Sequence, residues 1–223
     1  LRVYEPKKIE EDIVSLSTED PSQLDIKEML FAASLIEDNS IKKTIYNTVS
    51  KSFPNDHRAY NNLAGIYIKE KNINQAIDML GKASKYNINA AEVNENKGII
   101  AAIEGDYDKA TALYSSSNAS DINKGILAIK TGDYSSATAK LKGNGFNATL
   151  AKLMNGNPVA TTDNTAEGNY LNAIVNARTG NYDKCIEYLS KAIQMNANYK
   201  NEAVKDFEFK NLKDKAEFQA LVN

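Results

Sequence analysis

The 223-residue chain has no tryptophan, one cysteine, one histidine and four prolines. A lone Cys185 excludes an internal disulfide, and it suits either a cytosol or an exported compartment whose proteins avoid cysteine. A single His57 with a single cysteine cannot supply the several soft ligands of a zinc or other transition-metal site, so no metal and no cofactor is expected. Charge is balanced, with a formal net charge of -2. No Lys/Arg run forms the basic stripe that nucleic acid requires. No apolar stretch approaches the length of a membrane span. The chain opens Leu1-Arg2-Val3-Tyr4 without methionine. A processed product or a piece of a longer chain is therefore expected, with any leader or anchor upstream.

What the chain does contain is a line written twice. Residues 96–114 read NKGIIAAIEGDYDKATALY and residues 123–141 read NKGILAIKTGDYSSATAKL, identical at 11 of 19 positions at an offset of 27. Self-similarity at such a period marks a stacked repeat. In each copy a first helix ends at Gly-Asp (Gly105-Asp106, Gly132-Asp133). Glycine supplies a left-handed closing residue and Asp caps the following helix. A tyrosine follows (Tyr107, Tyr134), then a small residue (Ala110, Ala137) that lets two helices approach. A bulky residue four positions on (Tyr114, Leu141) fills the space beside it. Each unit reads as an antiparallel helix pair.

The same pattern recurs at Gly180-Asn181-Tyr182, with Cys185 on the small seat and Leu189 beyond, after a helix over 169–179. It recurs again with a weaker turn at Lys71-Asn72, after Ala64 and before Ala76, Leu80 and Ala83. Gly156-Asn157-Pro158 lies 24 residues from Gly132 and 24 from Gly180. That spacing predicts a degenerate unit with a first helix over about 147–155 and a short second one from Pro158. Residues 5–20 form an N-terminal helix with Ile9, Ile13 and Leu16 on one face. Residues 24–36 and 39–52 form a divergent first pair. Ala203, Phe207, Phe209 and a helix over about 213–222 close the chain. Thr161–Gly168 reads as a loop.

Residues 57–90 resemble a tetratricopeptide repeat. Tyr60, Leu63, Ala64 and Tyr67 stand at the large, apolar and small positions of that family's first helix, and Ala76, Leu80 and Ala83 at those of its second. Ile88 replaces the closing proline, a role Pro54 fills one unit earlier. Residues 91–117 and 166–199 fit the same pattern. The resemblance implies an all-α, right-handed superhelical solenoid of about five helix pairs with short irregular repeats in the middle. It is read as one domain over 1–223, with caps at 1–22 and 200–223 and repeats over 23–199, degenerate at 145–165. A looser resemblance joins Pro21–Met29, Phe53-Pro54-Asn55-Asp56 and the Gly-Asp-Tyr turns. It is to helical-repeat regions of exported cell-envelope proteins of Bacteroidetes, and it implies a periplasmic or outer-membrane-associated location, with a cytoplasmic one as the alternative.

No catalytic constellation emerges, and the chain is expected not to be an enzyme. His57 reads as an exposed turn residue and Cys185 as a buried packing thiol. Glu10-Glu11, and Asp56 with Asp78, read as solvated carboxylates. The Gly-Asp-Tyr turns lack the glycine run and lysine of a phosphate loop. Tyr107, Tyr134 and Tyr182 read as core positions.

What can carry function is a face, which the family resemblance places on the first helix of each pair. Carried over by position it comprises Arg58, Asn61, Gly65, Ile68 and Lys69, then Glu92, Glu95, Ile99, Ala102 and Ile103. Further along come Ile122, Ile126, Ile129 and Lys130, and last Glu167, Tyr170, Ile174, Ala177 and Arg178. Only Arg58, Asn61 and Lys69 resemble a carboxylate clamp. Two occupants suit the Ile-rich middle: an apolar partner segment or the chain's own neighbouring helices. The function implied is a protein or peptide interaction scaffold. The rivals are an envelope glycan or peptidoglycan binder and a structural spacer or oligomerisation arm.

Overall fold

The computed structural model describes the backbone of residues 6–223 and the side chains from residue 12. Ile9 and Glu10-Glu11 lie outside the described side chains, and residues 1–5 outside the described backbone. The described residues form fourteen α-helices and no strand. Hydrophobic residues at i, i+3 and i+4 give each helix one face to bury. These faces meet in the pairs α2 (Ile26–Leu35) with α3 (Asn39–Ser52), α4 (His57–Lys69) with α5 (Ile73–Tyr86), and α6 (Ala91–Glu104) with α7 (Tyr107–Ser116). Further pairs are α8 (Asp121–Thr131) with α9 (Tyr134–Lys140), and α11 (Ala166–Arg178) with α12 (Tyr182–Met195). The result is an all-α helical solenoid. α1 (Pro6–Glu19) leans on the first pair, placing Ile13 and Leu16 against Met29, Ile45 and Val49. At the other end lie α13 (Tyr199–Lys205), which no sequence pattern had announced, and α14 (Ala216–Val222). The middle helices are short, with ten residues in α7 and seven in α9 against fourteen in α5 and α12.

The turns follow their sequence. Gly105 has φ 84°, and the Asp106 amide reaches back to the Ala101 carbonyl at 2.9 Å. In the weaker turn Lys71 takes the same left-handed conformation at φ 59°, with the Asn72 amide on the Tyr67 carbonyl at 2.8 Å. A lysine there carries a steric cost that glycine avoids. Asp106, Asp133 and Asn181 then cap α7, α9 and α12 through the amides of Lys109, Ser136 and Lys184.

The seam inside each pair depends on missing atoms. Ala76, Ala110, Ala137 and Cys185 have no solvent exposure. Opposite them the first helix also gives way. A Cβ on Gly98 would lie 2.4 Å from the Tyr114 ring, and one on Gly125 would lie 2.5 Å from Leu141. The identical glycines of the doubled line therefore seat the bulky residues of the second helices. Tyr107, Tyr134 and Tyr182 are half-buried, in contrast to the expected core placement.

The chain divides into two compact units, Leu1–Ala119 and Ser120–Asn223. In the first, one cluster gathers α2, α3 and α4 and a second joins α4, α5 and α6. In the second unit, Ala128, Ala137, Leu141, Ala148 and Ala151 form one cluster, while Cys185, Leu189, Phe209, Leu212 and Phe218 belong to another. The degenerate unit corrects the sequence reading. α10 (Phe146–Met154) is its first helix, but no helix follows Pro158. The run Val159-Ala160-Thr161-Thr162 has no apolar stripe at helical spacing to bury, and its β-branched residues disfavour helix. The segment runs instead as an extended strap. Asn172 of α11 accepts from the Thr161 amide at 2.8 Å and donates to the Thr161 carbonyl at 3.1 Å. One buried carboxamide thus satisfies both backbone groups of a strap residue.

These contacts rank the seam substitutions. Gly98→Ala and Ala110→Leu should each destabilise the chain by about 1–3 kcal/mol through overpacking. Gly105→Val, which forces a β-branched residue into the left-handed region, should also lower the melting temperature. Thermal melting followed by far-ultraviolet circular dichroism tests this, and unchanged midpoints would overturn the seam account.

Candidate functional site

In the first unit α4 and α6 lie side by side and carry the first ten face residues. Their N-terminal halves are tied together. Asp56 caps α4 by accepting from the Arg58 amide at 2.9 Å. It also holds the Arg58 guanidinium, with Nη2 to Oδ2 at 2.8 Å. Arg58, foremost among these contacts, keeps the Asp56 carboxyl below the usual carboxylate range. His57 is not the exposed turn residue expected. Its side chain is 19% exposed and its Nε2 meets Glu92 Oε1 at 2.8 Å. One turn on, Asn96 donates from Nδ2 to Asn61 Oδ1 at 2.9 Å, and Asn61 is 6% exposed. Arg58, Asn61 and Glu92 are therefore engaged within the chain. Glu95 is half-buried beside them.

The C-terminal halves of the same helices differ. Gly65 is open, with only the Asn96 amide nitrogen near where a Cβ would stand. Ile68, Ile99 and Ala102 are half-buried and Ile103 is 55% exposed. Lys69 is exposed and forms no ion pair among the described residues. This end of the face is an apolar strip with one cation beside it.

In the second unit α8 presents Ile122, 63% exposed, with Ile126 and Ile129 half-buried and Lys130 exposed. α11 is covered. The Tyr170 hydroxyl donates to Asp206 Oδ2 at 2.9 Å, and its ring stacks on Tyr199 at 4.5 Å between centroids. Burial, reinforced by Asp206, pushes the Tyr170 hydroxyl pKa well up. Arg178 donates from Nε to Glu208 Oε2 at 2.8 Å and from Nη1 to the Leu153 carbonyl at 3.2 Å. That guanidinium holds the Glu208 carboxyl below its usual range. Ile174 packs between two clusters that include Phe209 and Leu171. The chain's own tail thus lies over Tyr170 and Arg178. The alternation Asp206-Phe207-Glu208-Phe209 was the available signal, with carboxylates for the face and Phe209 for the core. Nothing in its spacing named the target.

The remaining candidates take structural roles. Cys185 is fully buried and its thiol is pushed up to about 12 by desolvation. Asp78 pairs with Lys82 at 3.0 Å, so it forms no acid–base couple with Asp56. Among the described residues no cluster of His, Cys, Asp and Glu could hold a metal ion, and no helix is long and apolar enough to cross a membrane.

Residues 57–87 and 166–199 match the family model of the tetratricopeptide repeat. No curated protein matches the chain. Among solved structures, the chain is similar to a tetratricopeptide repeat protein from Parabacteroides merdae, with 18% identity, TM-score 0.49 and coverage of 97% of this chain and 79% of that one. It is also similar to PilW, a type IV pilus biogenesis factor, with 16% identity, TM-score 0.41 and coverage of 97% and 99%. A third is PilF of Pseudomonas aeruginosa, with 13% identity, TM-score 0.44 and coverage of 96% and 89%.

The engaged carboxylates set an acid response. Asp56 and Glu208 have lowered folded-state pKa values, so each contributes stability above its unfolded value and loses it as pH falls through the folded one. The chain should lose stability progressively below about pH 5. The Asp56→Asn, Glu208→Gln chain should be less stable at neutral pH and melt with a flatter acid dependence. Parallel curves of melting temperature against pH would overturn this.

Proposed function

Since the chain is a tetratricopeptide-repeat protein, we propose that it is a non-enzymatic scaffold that holds a protein segment on the first-helix face of its first unit. Repeats of this kind bind protein partners in general. One observation carries the choice of face. The polar half of α4 and α6 is tied up internally, while Gly65, Ile68, Ile99 and Ile103 form an open apolar strip beside Lys69. A half-buried isoleucine row that ends in the exposed Ile103, beside a cation with no ion pair among the described residues, suits an apolar segment that carries a carboxylate. The α8 isoleucines offer a second, smaller patch of the same chemistry. Tyr170 and Arg178, held by the tail, stabilise the last repeat and take no part in binding. The cell envelope is our reading of where this occurs. Its support is the resemblance of Pro21–Met29 and the Gly-Asp-Tyr turns to exported repeat proteins.

A photo-crosslinking residue in place of Ile103, compared with one in place of the exposed Lys51, tests both parts. Crosslinks to a discrete protein from position 103 alone, lost on Lys69→Glu with Ile99→Asp, are the expected result. Recovery of that protein from envelope rather than soluble extract would place it. Equal crosslinking from both positions, or none from 103, would overturn the assignment of the face.

A further inference from the structure

A second surface lies on the other side of the first unit, among residues that form no part of the first-helix face. α5 and α7 flank an open trough of ≈ 540 Å³ floored by α6. That volume lies within the range of about 300–1,000 Å³ of ligand-binding clefts. Its apolar lining is Ile77, Leu80, Gly81, Ile100, Ala101 and Leu113. Ile77 is 46% exposed, at the lip.

Gly81 is the telling residue. It stands inside α5, well away from either end. Glycine in a helix interior costs roughly 1 kcal/mol relative to alanine. At Gly98 the fold demands that sacrifice, because Tyr114 occupies the space. At Gly81 it does not: a Cβ there would meet no atom within 4 Å. The chain carries a helix-weakening residue at the centre of an apolar trough with no internal neighbour to justify it. A surface from outside approaching the α5 backbone does justify it.

The rim states the chemistry of that surface. Lys97, Lys109 and Glu104 border the trough. None of the three forms an ion pair among the described residues, whereas Lys82 on the same α5 is neutralised by Asp78. Two unpaired cations against one anion favour an occupant rich in carboxylate. Lys97 and Glu104 are seven residues apart on α6, about 10 Å at the helical rise. That is two turns, the length over which a helix presents apolar side chains at i, i+3 and i+7. We propose that this trough docks an acidic amphipathic helix of a partner protein, whose aliphatic row passes over Gly81 and whose carboxylates face Lys97 and Lys109.

The test is selection from a displayed library of amphipathic helices of about sixteen residues, long enough to hold helical structure, against the full chain. Expected winners carry an aliphatic row and excess Asp and Glu. They bind the Gly81→Ala chain at least about tenfold more weakly, although that substitution raises its melting temperature. They fail on Gly81→Leu, and added salt weakens them. Lys97→Glu with Lys109→Glu should shift the winners towards basic helices. The proposal is overturned if no helix is enriched, if winners bind Gly81→Leu as well as the natural chain, or if they are not acidic. Decanoate raising the melting temperature where no helix binds would also overturn it, assigning the trough to a small anionic amphiphile.

Discussion

Everything in this molecule rests on the closeness of paired helices, and that closeness rests on side chains that are absent. Gly98 makes room for Tyr114 and Gly125 for Leu141, while Ala76, Ala110, Ala137 and Cys185 carry the matching reduction on the other helix. Packing at native density turns each missing methylene into contact area for a neighbour. Short helices need this most. α9 has seven residues, too few to be stable alone, and it persists because Ala137 and Leu141 are buried against α8 and α10.

This seam is also why so much of the fold could be read from the chain. Small and bulky residues at fixed offsets, with Gly-Asp, Gly-Asn or Lys-Asn between helices, are local signals, and four of the five pairs follow from them. The strap over 157–165 was not legible in the same way. Its turn at Gly156-Asn157 closes like the others, with the Asn157 amide on the Lys152 carbonyl at 2.8 Å. Local grammar therefore promised a helix. What decided otherwise was the lack of an apolar stripe after Pro158 and a distant partner, Asn172, able to satisfy an extended backbone. The second cause is tertiary and leaves no mark near the strap.

The candidate face shows the same limit from another direction. Repeat position assigns a surface to each first helix, because that is a matter of helical phase. It could not say what lies on that surface. Asn61 and Tyr170 occupy equivalent places, and each is met by a segment beyond its paired helix: Asn61 by Asn96, Tyr170 by Asp206. Arg178 is met by Glu208, whereas Lys69, its counterpart, forms no ion pair among the described residues. A covered position and an open one thus carry similar side chains, and only the segment beyond the paired helix distinguishes them.

The two faces of the first unit also divide stability from recognition differently. On the first-helix side, His57, Asn61, Glu92 and Asn96 bind α4 to α6, so substitutions there act on the fold before they act on any partner. Ile103 and Lys69, at the other end, are exposed and carry no such burden. On the α5–α7 side the division is sharper. Gly81 weakens its own helix, and no neighbour lies within 4 Å of where its Cβ would stand. A residue that lowers stability without a structural return is the mark of a site shaped by something outside the chain. That inverse relation makes Gly81 more informative about binding than any of the charged residues around it.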